Sequence, residues 1–182
     1  NRSRFLFDLG HVAEAMREAS RAFQDGTAEI RAMALRNAAM MAPGDPTLDN
    51  AAILHIRRRW ASFEAIPVPP LAARPARGAK LRIGYVGGFF DKPNWMKMYT
   101  GVLNAHDRDR FEVNLIVDGA MPCAEAGYCD HPEDRVWDVN DVSNAELAGH
   151  IAAAGIDVLV NLNGYSHAPR LPLLLHRAAP VQ

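Results

Sequence analysis

The chain has 182 residues, of which 49% are hydrophobic and 23% are charged, a balance typical of a folded globular protein. Its 20 Lys and Arg against 21 Asp and Glu give a formal net charge of −1, which excludes a whole-chain electrostatic basis for binding nucleic acid or an anionic membrane. No apolar run approaches the roughly 20 residues that cross a bilayer. The two cysteines, Cys123 and Cys129, favour a reducing compartment over a disulfide framework, so we expect a cytoplasmic protein.

The length accommodates one ordinary domain with a helical appendage, but not two full-size domains. The chain starts at Asn1 rather than at an initiator Met, and residues 179–182 resemble the approach to another buried strand. We therefore expect part of a longer polypeptide.

Residues 1–65 are predicted to form a helical segment. Apolar side chains recur at helical spacing in residues 5–23, 30–41 and about 47–63, which predicts three short helices.

The junction between the second and third predicted helices has the strongest turn signal in this segment. Gly44 is predicted to be a left-handed C-cap, and Asp45 and Pro46 are predicted to begin the next helix. Residues 37–60 are similar to the junction between tetratricopeptide repeats, although a repeat array normally needs about three units. A plain helical cap packed on the next domain remains an alternative.

Residues 66–79 are predicted to be an extended, proline-rich linker. They contain four prolines and two basic residues, Arg74 and Arg77, but no acidic residue. We interpret the basic side chains as solvated linker charges rather than as a phosphate site.

After the linker, short apolar runs alternate with helical patterns. The predicted strands cover residues 81–86, 111–117, 136–139 and 157–161. Helices are predicted at residues 94–105 and 143–154. The first is expected to turn Trp95, Met98, Val102 and Leu103 inward, and the second to begin with a capping box of Ser143 and Glu146 and to end at Gly155. Alternating strands and helices predict an α/β fold with a parallel sheet, and we assign residues 80–182 to a partial Rossmann-like lobe.

Ligands of such sheets bind beyond the carboxyl ends of the strands, so the loop after the first strand is a candidate site. Gly87 and Gly88 allow a ligand to approach the backbone closely, and Lys92 adds a cation before the next helix. With Asp118 after the second strand, the same loop also permits a dinucleotide site and hence an oxidoreductase.

The loop after the fourth strand is the second candidate site. Asn163, Gly164, Tyr165 and Arg170 place an amide, a turn, a phenol and a guanidinium within a few residues of a buried strand. The alternative is an ordinary Asn-Gly turn with incidental polar neighbours.

We predict no metal site. Cys123, Cys129 and His131 lie close in sequence but lack a fourth ligand at zinc-finger spacing. His106 and His176 are interpreted as helix-end or packing residues.

Four sequence blocks, in residues 82–86, 107–113, 155–165 and 177–182, carry a family resemblance. In the same order, they resemble successive blocks of the catalytic region of protein O-GlcNAc transferases and the related SPINDLY glycosyltransferases. The most specific block is Leu-Val-Asn-Leu-Asn-Gly-Tyr at residues 159–165, and the preceding helices fit the family's habit of placing tetratricopeptide repeats before the catalytic region.

The resemblance implies the amino-terminal lobe of a two-lobed, GT-B-type glycosyltransferase. Such an enzyme moves a GlcNAc-like sugar from a nucleotide sugar, expected to be UDP-linked, to Ser or Thr hydroxyls of an acceptor protein, with inversion and without a metal or other cofactor. A second lobe would hold most of the nucleotide sugar, so we expect these residues alone to be inactive.

One departure from the family pattern concerns Lys92, which occupies the place of a His long discussed as catalytic or binding. A lysine, with a pKa of about 10.4 rather than about 6.5, cannot act as an imidazole would. The sequence therefore assigns no catalytic residue, and a non-catalytic protein-binding scaffold derived from the family remains an alternative.

Overall fold

The computed structural model describes residues 2–64 and 80–182, apart from the side chains of residues 166–168. The chain divides into two compact units, Asn1–Ile66 and Pro67–Gln182, here called the helical unit and the α/β unit. The predicted linker at residues 66–79 lies outside the described residues. Within the described ranges, no helix is long and apolar enough to span a membrane.

The helical unit contains one more helix than predicted. Its helices are α1 (Arg2–Asp8), α2 (Val12–Asp25), α3 (Ala28–Met41) and α4 (Asn50–Phe63). The single helix predicted for residues 5–23 is wrong, because Gly10 adopts a left-handed φ of 85° and separates α1 from α2. Ala15, Ala19 and Met41 form the buried centre of the unit.

The junction between α3 and α4 also differs from the prediction. Gly44 does not adopt the left-handed conformation and lies in a 3-10 turn, Ala42–Gly44, that follows α3 directly. The N-cap of α4 is Asp49, whose Oδ1 accepts the Ala52 N–H at 2.7 Å. Asp45 instead accepts the backbone N–H of Thr47 at 2.9 Å, so its carboxylate closes a local turn rather than beginning a helix.

The α/β unit contains a four-stranded parallel sheet, as the sequence predicts. The strands are β1 (Leu81–Gly87), β2 (Phe111–Val117), β3 (Arg135–Asp138) and β4 (Val158–Asn161), in the spatial order β3-β2-β1-β4. Their bounds lie within one residue of the predicted ones.

Both faces of the sheet are covered. One face packs Val86 and Ile116 with α7 (Asn144–Ala153), and the other packs Tyr85 and Leu115 with the helical residues before β2.

The cap of α7 is the one predicted. Ser143 Oγ accepts the Glu146 N–H at 3.2 Å, and Gly155 follows the helix with a φ of 68°.

The helix predicted at residues 94–105 is two short helices, α5 (Pro93–Met96) and α6 (Thr100–Asn104). Because residues 97–99 interrupt the helix, the face that points inward shifts. Leu103 is buried, as predicted, and Met96 is buried as well, whereas the other side chains predicted to face inward are exposed; these are Trp95, Met98 and Val102.

Candidate functional site

The loops after β1, β2 and β4 meet at the carboxyl edge of the sheet. The Gly88 N–H donates to Asn163 Oδ1 at 3.1 Å, and the Asp118 N–H donates to the Gly87 carbonyl at 2.9 Å. A Cβ atom on Gly119 would lie 2.5 Å from the Gly88 carbonyl oxygen. The structure therefore brings Gly87, Gly88 and Asn163 together, and the approach of two backbones explains why residue 119 has no side chain.

The loop after β4 is built around the side chain of Asn161. Its Oδ1 accepts the backbone N–H groups of Asn163 at 2.8 Å and Gly164 at 2.9 Å, and Gly164 takes a left-handed φ of 51°. Gly164 also begins a 3-10 helix, Gly164–His176, in which Tyr165 is half-buried. The Asn-Gly turn at residues 163 and 164 is thus present in the structure, and the same loop carries further polar side chains.

Two amide nitrogens in this loop have no hydrogen-bond partner within the described ranges. They are Nδ2 of Asn161 and Nδ2 of Asn163, both shielded from solvent. Asn163 is only 6% exposed, and its Oδ1 is already used by Gly88. A buried amide donor without an acceptor costs about 1–3 kcal/mol, so each such group calls for an explanation, such as a bound water or a ligand.

Lys92 lies at the position before α5, outside this hydrogen-bonded cluster. Its side chain is 57% exposed and forms an ion pair with the adjacent Asp91. The loop that carries it is closed by a bond from the Lys92 N–H to the Phe89 carbonyl at 3.0 Å, and Phe89 stacks on Trp95. The ammonium group is therefore accessible to a ligand.

Arg170, in contrast, points its guanidinium into the protein. Nη2 lies 2.6 Å from Asp118 Oδ1, and Nη1 lies 2.6 Å from the Val142 carbonyl. The residue is 5% exposed. The acid considered for a dinucleotide site, Asp118, is thus paired with an arginine of this chain.

Sequence reasoning missed a second polar cluster, which lies at the amino edge of the sheet. Arg108 donates to both carboxylate oxygens of Asp134, at 3.0 and 2.7 Å, and the Tyr128 hydroxyl donates to the same carboxylate at 2.8 Å. Burial and the bond to Asp134 raise the pKa of Tyr128. In the sequence, the only signal for this cluster was the alternation of Asp and Arg residues immediately before Phe111.

His106 lies beside this cluster, as a packing residue. Its Nε2 is 2.6 Å from the Tyr85 hydroxyl, and its ring contacts Phe111. Burial, assisted by the nearby Arg108 charge, lowers the pKa of His106, and burial raises the pKa of Tyr85.

The cysteine-containing loop shows no metal-binding arrangement. Among the described side chains, which leave out those of residues 166–168, no group of three His, Cys, Asp or Glu is placed to hold an ion. Cys123 and Cys129 are free thiols, and His131 Nδ1 accepts the Glu133 N–H at 3.2 Å.

The sequence model of glycosyl transferase family 41 matches residues 64–182, which is more than half of the chain. The chain belongs to this family. Together with the relatives described next, this match confirms the resemblance to O-GlcNAc transferases.

Two relatives of this family 41 chain support the assignment. The UDP-N-acetylglucosamine--peptide N-acetylglucosaminyltransferase of Caenorhabditis elegans is 30% identical over 151 residues, which are 74% of this chain and 13% of that protein. A mutant of the Thermobaculum terrenum O-GlcNAc transferase has a TM-score of 0.79 and 27% identity, over 99% of this chain and 35% of its own. The chain thus spans a minor part of each relative, and the fold of an amino-terminal GT-B fragment is confirmed.

Proposed function

We propose that this family 41 chain is part of the acceptor-facing lobe of a protein glycosyltransferase. The enzyme transfers a GlcNAc-like sugar from a UDP-linked donor to Ser or Thr hydroxyls of an acceptor protein. The observation that carries the proposal is the family-specific block at residues 159–165, which lies at the carboxyl edge of a parallel sheet, where such folds bind ligands. The Caenorhabditis elegans relative, a UDP-N-acetylglucosamine--peptide N-acetylglucosaminyltransferase, supports the donor and the peptide acceptor.

The proposed reaction is an inverting displacement without a metal. The acceptor hydroxyl oxygen attacks the anomeric carbon, the bond from that carbon to the diphosphate breaks with its electron pair on the diphosphate, and a base takes the hydroxyl proton. We propose that a second lobe of the same polypeptide holds most of the donor, because the chain spans only 35% of the Thermobaculum terrenum structure. The isolated 182 residues are then inactive.

The residues of the carboxyl edge have distinct proposed roles. Gly87 and Gly88 let the ligand approach the backbone, and Gly164 and Tyr165 line the same loop cluster. The unpartnered Nδ2 of Asn163 donates to a ligand oxygen, since its Oδ1 is fixed by Gly88.

Two further observations support this proposal: the free thiols of Cys123 and Cys129, and the ion pair of Asp118 with Arg170. A reducing, cytoplasmic location stays part of the proposal, because Cys123 and Cys129 form no disulfide. The pairing of Asp118 with Arg170 favours glycosyl transfer over dinucleotide binding, since a ribose-binding acid needs its carboxylate accessible.

The first test uses Asn163→Asp in the polypeptide that contains both lobes. The variant keeps an oxygen for the Gly88 N–H but loses the amide donor, so we expect kcat/KM for sugar transfer from UDP-GlcNAc to a Ser peptide to fall at least about tenfold, or about 1.4 kcal/mol. Asn50→Asp, on the exposed start of α4, is the matched control. Transfer by the isolated 182 residues, or an unchanged Asn163→Asp enzyme, would contradict the proposal.

The second test concerns Lys92 and separates an altered enzyme from a scaffold. If Lys92 holds a donor phosphate or a sugar hydroxyl, Lys92→Ala weakens nucleotide-sugar binding by about 1.5–3 kcal/mol in calorimetric titration. Lys97→Ala, which removes a neighbouring exposed ammonium, is expected to change binding by no more than about 0.5 kcal/mol. Failure of the unaltered protein to bind any nucleotide sugar would favour the scaffold.

A further inference from the structure

We infer that Arg170 is a positioning residue, which locks the loop after β4 onto the loops after β2 and β3 and does not contact the substrate. This inference rests on the proposed function, because the loop that it fixes carries the proposed ligand-binding residues.

Both terminal nitrogens of the Arg170 guanidinium are engaged in the protein, whereas its buried Nε has no partner within the described residues. Nη2 donates to Asp118 Oδ1 at 2.6 Å and to the Val139 carbonyl, and Nη1 donates to the Val142 carbonyl at 2.6 Å. Arg170 and Asp118 side chains are 6% and 10% exposed. A substrate phosphate could reach this charge only if the buried pair with Asp118 opened, so a direct binding role does not fit the geometry.

The partners of Arg170 come from two different strand ends. Asp118 follows β2, whereas Val139 and Val142 follow β3. Asn144, at the start of α7, makes two further hydrogen bonds to the same segment. Its Oδ1 accepts from Arg170 Nη1 at 3.3 Å, and its Nδ2 donates to the Pro169 carbonyl at 2.9 Å. The planar guanidinium of Arg170 thus fixes the carboxyl-terminal end of the loop after β4 against the residues that follow β2 and β3 and against the start of α7.

The other end of the same loop is fixed by Asn163, through the bond between its Oδ1 and the Gly88 N–H. Gly164 and Tyr165 therefore lie between two anchors, Asn163 and Arg170. Asp118 also contacts the β1 loop, since its N–H donates to the Gly87 carbonyl. The two anchors consequently hold the loop after β4 in register with Gly87 and Gly88.

An arginine is needed for this arrangement because its donors are spread over a rigid plane. A lysine would keep the charge but present one compact ammonium group, which cannot reach Asp118, Val139 and Val142 with the same geometry. Displacement of the anchored loop would misplace Asn163 and Tyr165 relative to the glycines, and a misplacement of about 1 Å can reduce catalysis about a hundredfold.

The test compares Arg170→Lys with Arg108→Lys in the two-lobed polypeptide, well below the melting temperature of either variant. Both substitutions alter an arginine in a buried ion pair with an aspartate, but only Arg170 anchors the carboxyl-edge loops. For Arg170→Lys we expect a ten- to hundredfold lower kcat with the Kd for the nucleotide sugar changed less than threefold. For Arg108→Lys we expect kcat within threefold of the unaltered enzyme.

The same proteins are examined by amide hydrogen exchange, which does not require activity. We expect exchange in residues 163–168 to accelerate at least tenfold in Arg170→Lys and to stay unchanged in Arg108→Lys. Equal losses of kcat in the two variants would overturn the inference, as would a donor Kd raised more than tenfold by Arg170→Lys at constant kcat. If the unaltered protein transfers no sugar, the proposed function fails, whereas unchanged exchange in Arg170→Lys overturns the positioning role alone.

Discussion

Two buried arginines stabilise opposite edges of the same sheet. Arg108 pairs with Asp134 across the segments that enter β2 and β3, and Arg170 pairs with Asp118 across the segments that leave the strands. The two ion pairs resemble each other in burial and in their additional bonds to backbone carbonyls.

The edges differ in the polar groups that are left unpaired. At the amino edge, the Asp134 carboxylate accepts two bonds from Arg108 and one from Tyr128. Of the four unpaired buried side-chain atoms in the described part of the chain, three lie at the carboxyl edge, on Asn161, Asn163 and Arg170. Buried polar groups are normally paired, so the two edges differ in how completely the protein satisfies its own buried polar groups.

The largest expected effect is at the amino edge, in Asp134→Ala. The substitution leaves the buried Arg108 guanidinium without its counter-ion and the Tyr128 hydroxyl without an acceptor. We expect the free energy of unfolding of the α/β unit to fall by about 3–5 kcal/mol, the range for breaking a buried ion pair. Urea denaturation followed by near-ultraviolet circular dichroism measures the loss.

Asp134→Asn provides the control, because an amide oxygen can still accept from Arg108. We expect a smaller loss than in Asp134→Ala. A loss below about 1 kcal/mol in Asp134→Ala would show that the amino edge does not depend on this pair.

The next effect concerns the close approach of two loops at the carboxyl edge. In Gly119→Ala, the new Cβ would lie 2.5 Å from the Gly88 carbonyl oxygen, so one of the two loops must move. We expect a loss of about 1–3 kcal/mol in the free energy of unfolding, as for other overpacking substitutions.

The matched substitution is Gly149→Ala in α7, where a Cβ would meet no atom within 4 Å. Because alanine has the higher helix propensity, we expect a gain of up to about 1 kcal/mol. Equal effects of the two substitutions in urea denaturation would contradict the close approach.

The sequence predicts those features that depend on neighbouring residues. The four strands follow from short apolar runs, and the start of α7 follows from Ser143 and Glu146 three residues apart. The meeting of the loops after β1, β2 and β4 also follows, since the carboxyl ends of parallel strands share one edge; that this edge binds a ligand stays a prediction.

The features that the sequence does not predict depend on distant contacts or on helix interruptions. The ion pair of Arg170 joins residues 52 positions apart, and nothing local distinguishes this arginine from one that faces a ligand. The break at Gly10 and the interruption at residues 97–99 lie inside continuous helical patterns, so periodicity alone places Trp95 on the wrong face.

The smallest expected effect is a pH dependence at the amino edge, caused by His106. Burial and the Arg108 charge lower the pKa of His106 below its ordinary value of 6.5, while Asp134 opposes the shift. The unfolded chain then binds a proton more readily than the folded chain, so stability falls as pH drops through the ordinary value and levels off below the folded pKa.

Urea midpoints at pH 7.5 and 5.5 measure this dependence, with His106→Gln compared with the unaltered chain. We expect the midpoint to fall more with acid in the unaltered chain, because only there can protonation of His106 alter the contact between its Nε2 and the Tyr85 hydroxyl. His150→Gln, at an exposed position of α7, should keep the full acid dependence. If His106→Gln also keeps the full acid dependence, groups other than His106 cause the loss of stability. The amino edge would then be insensitive to the protonation of His106 in this pH range, because the Arg108 and Asp134 pair stabilises it without the histidine.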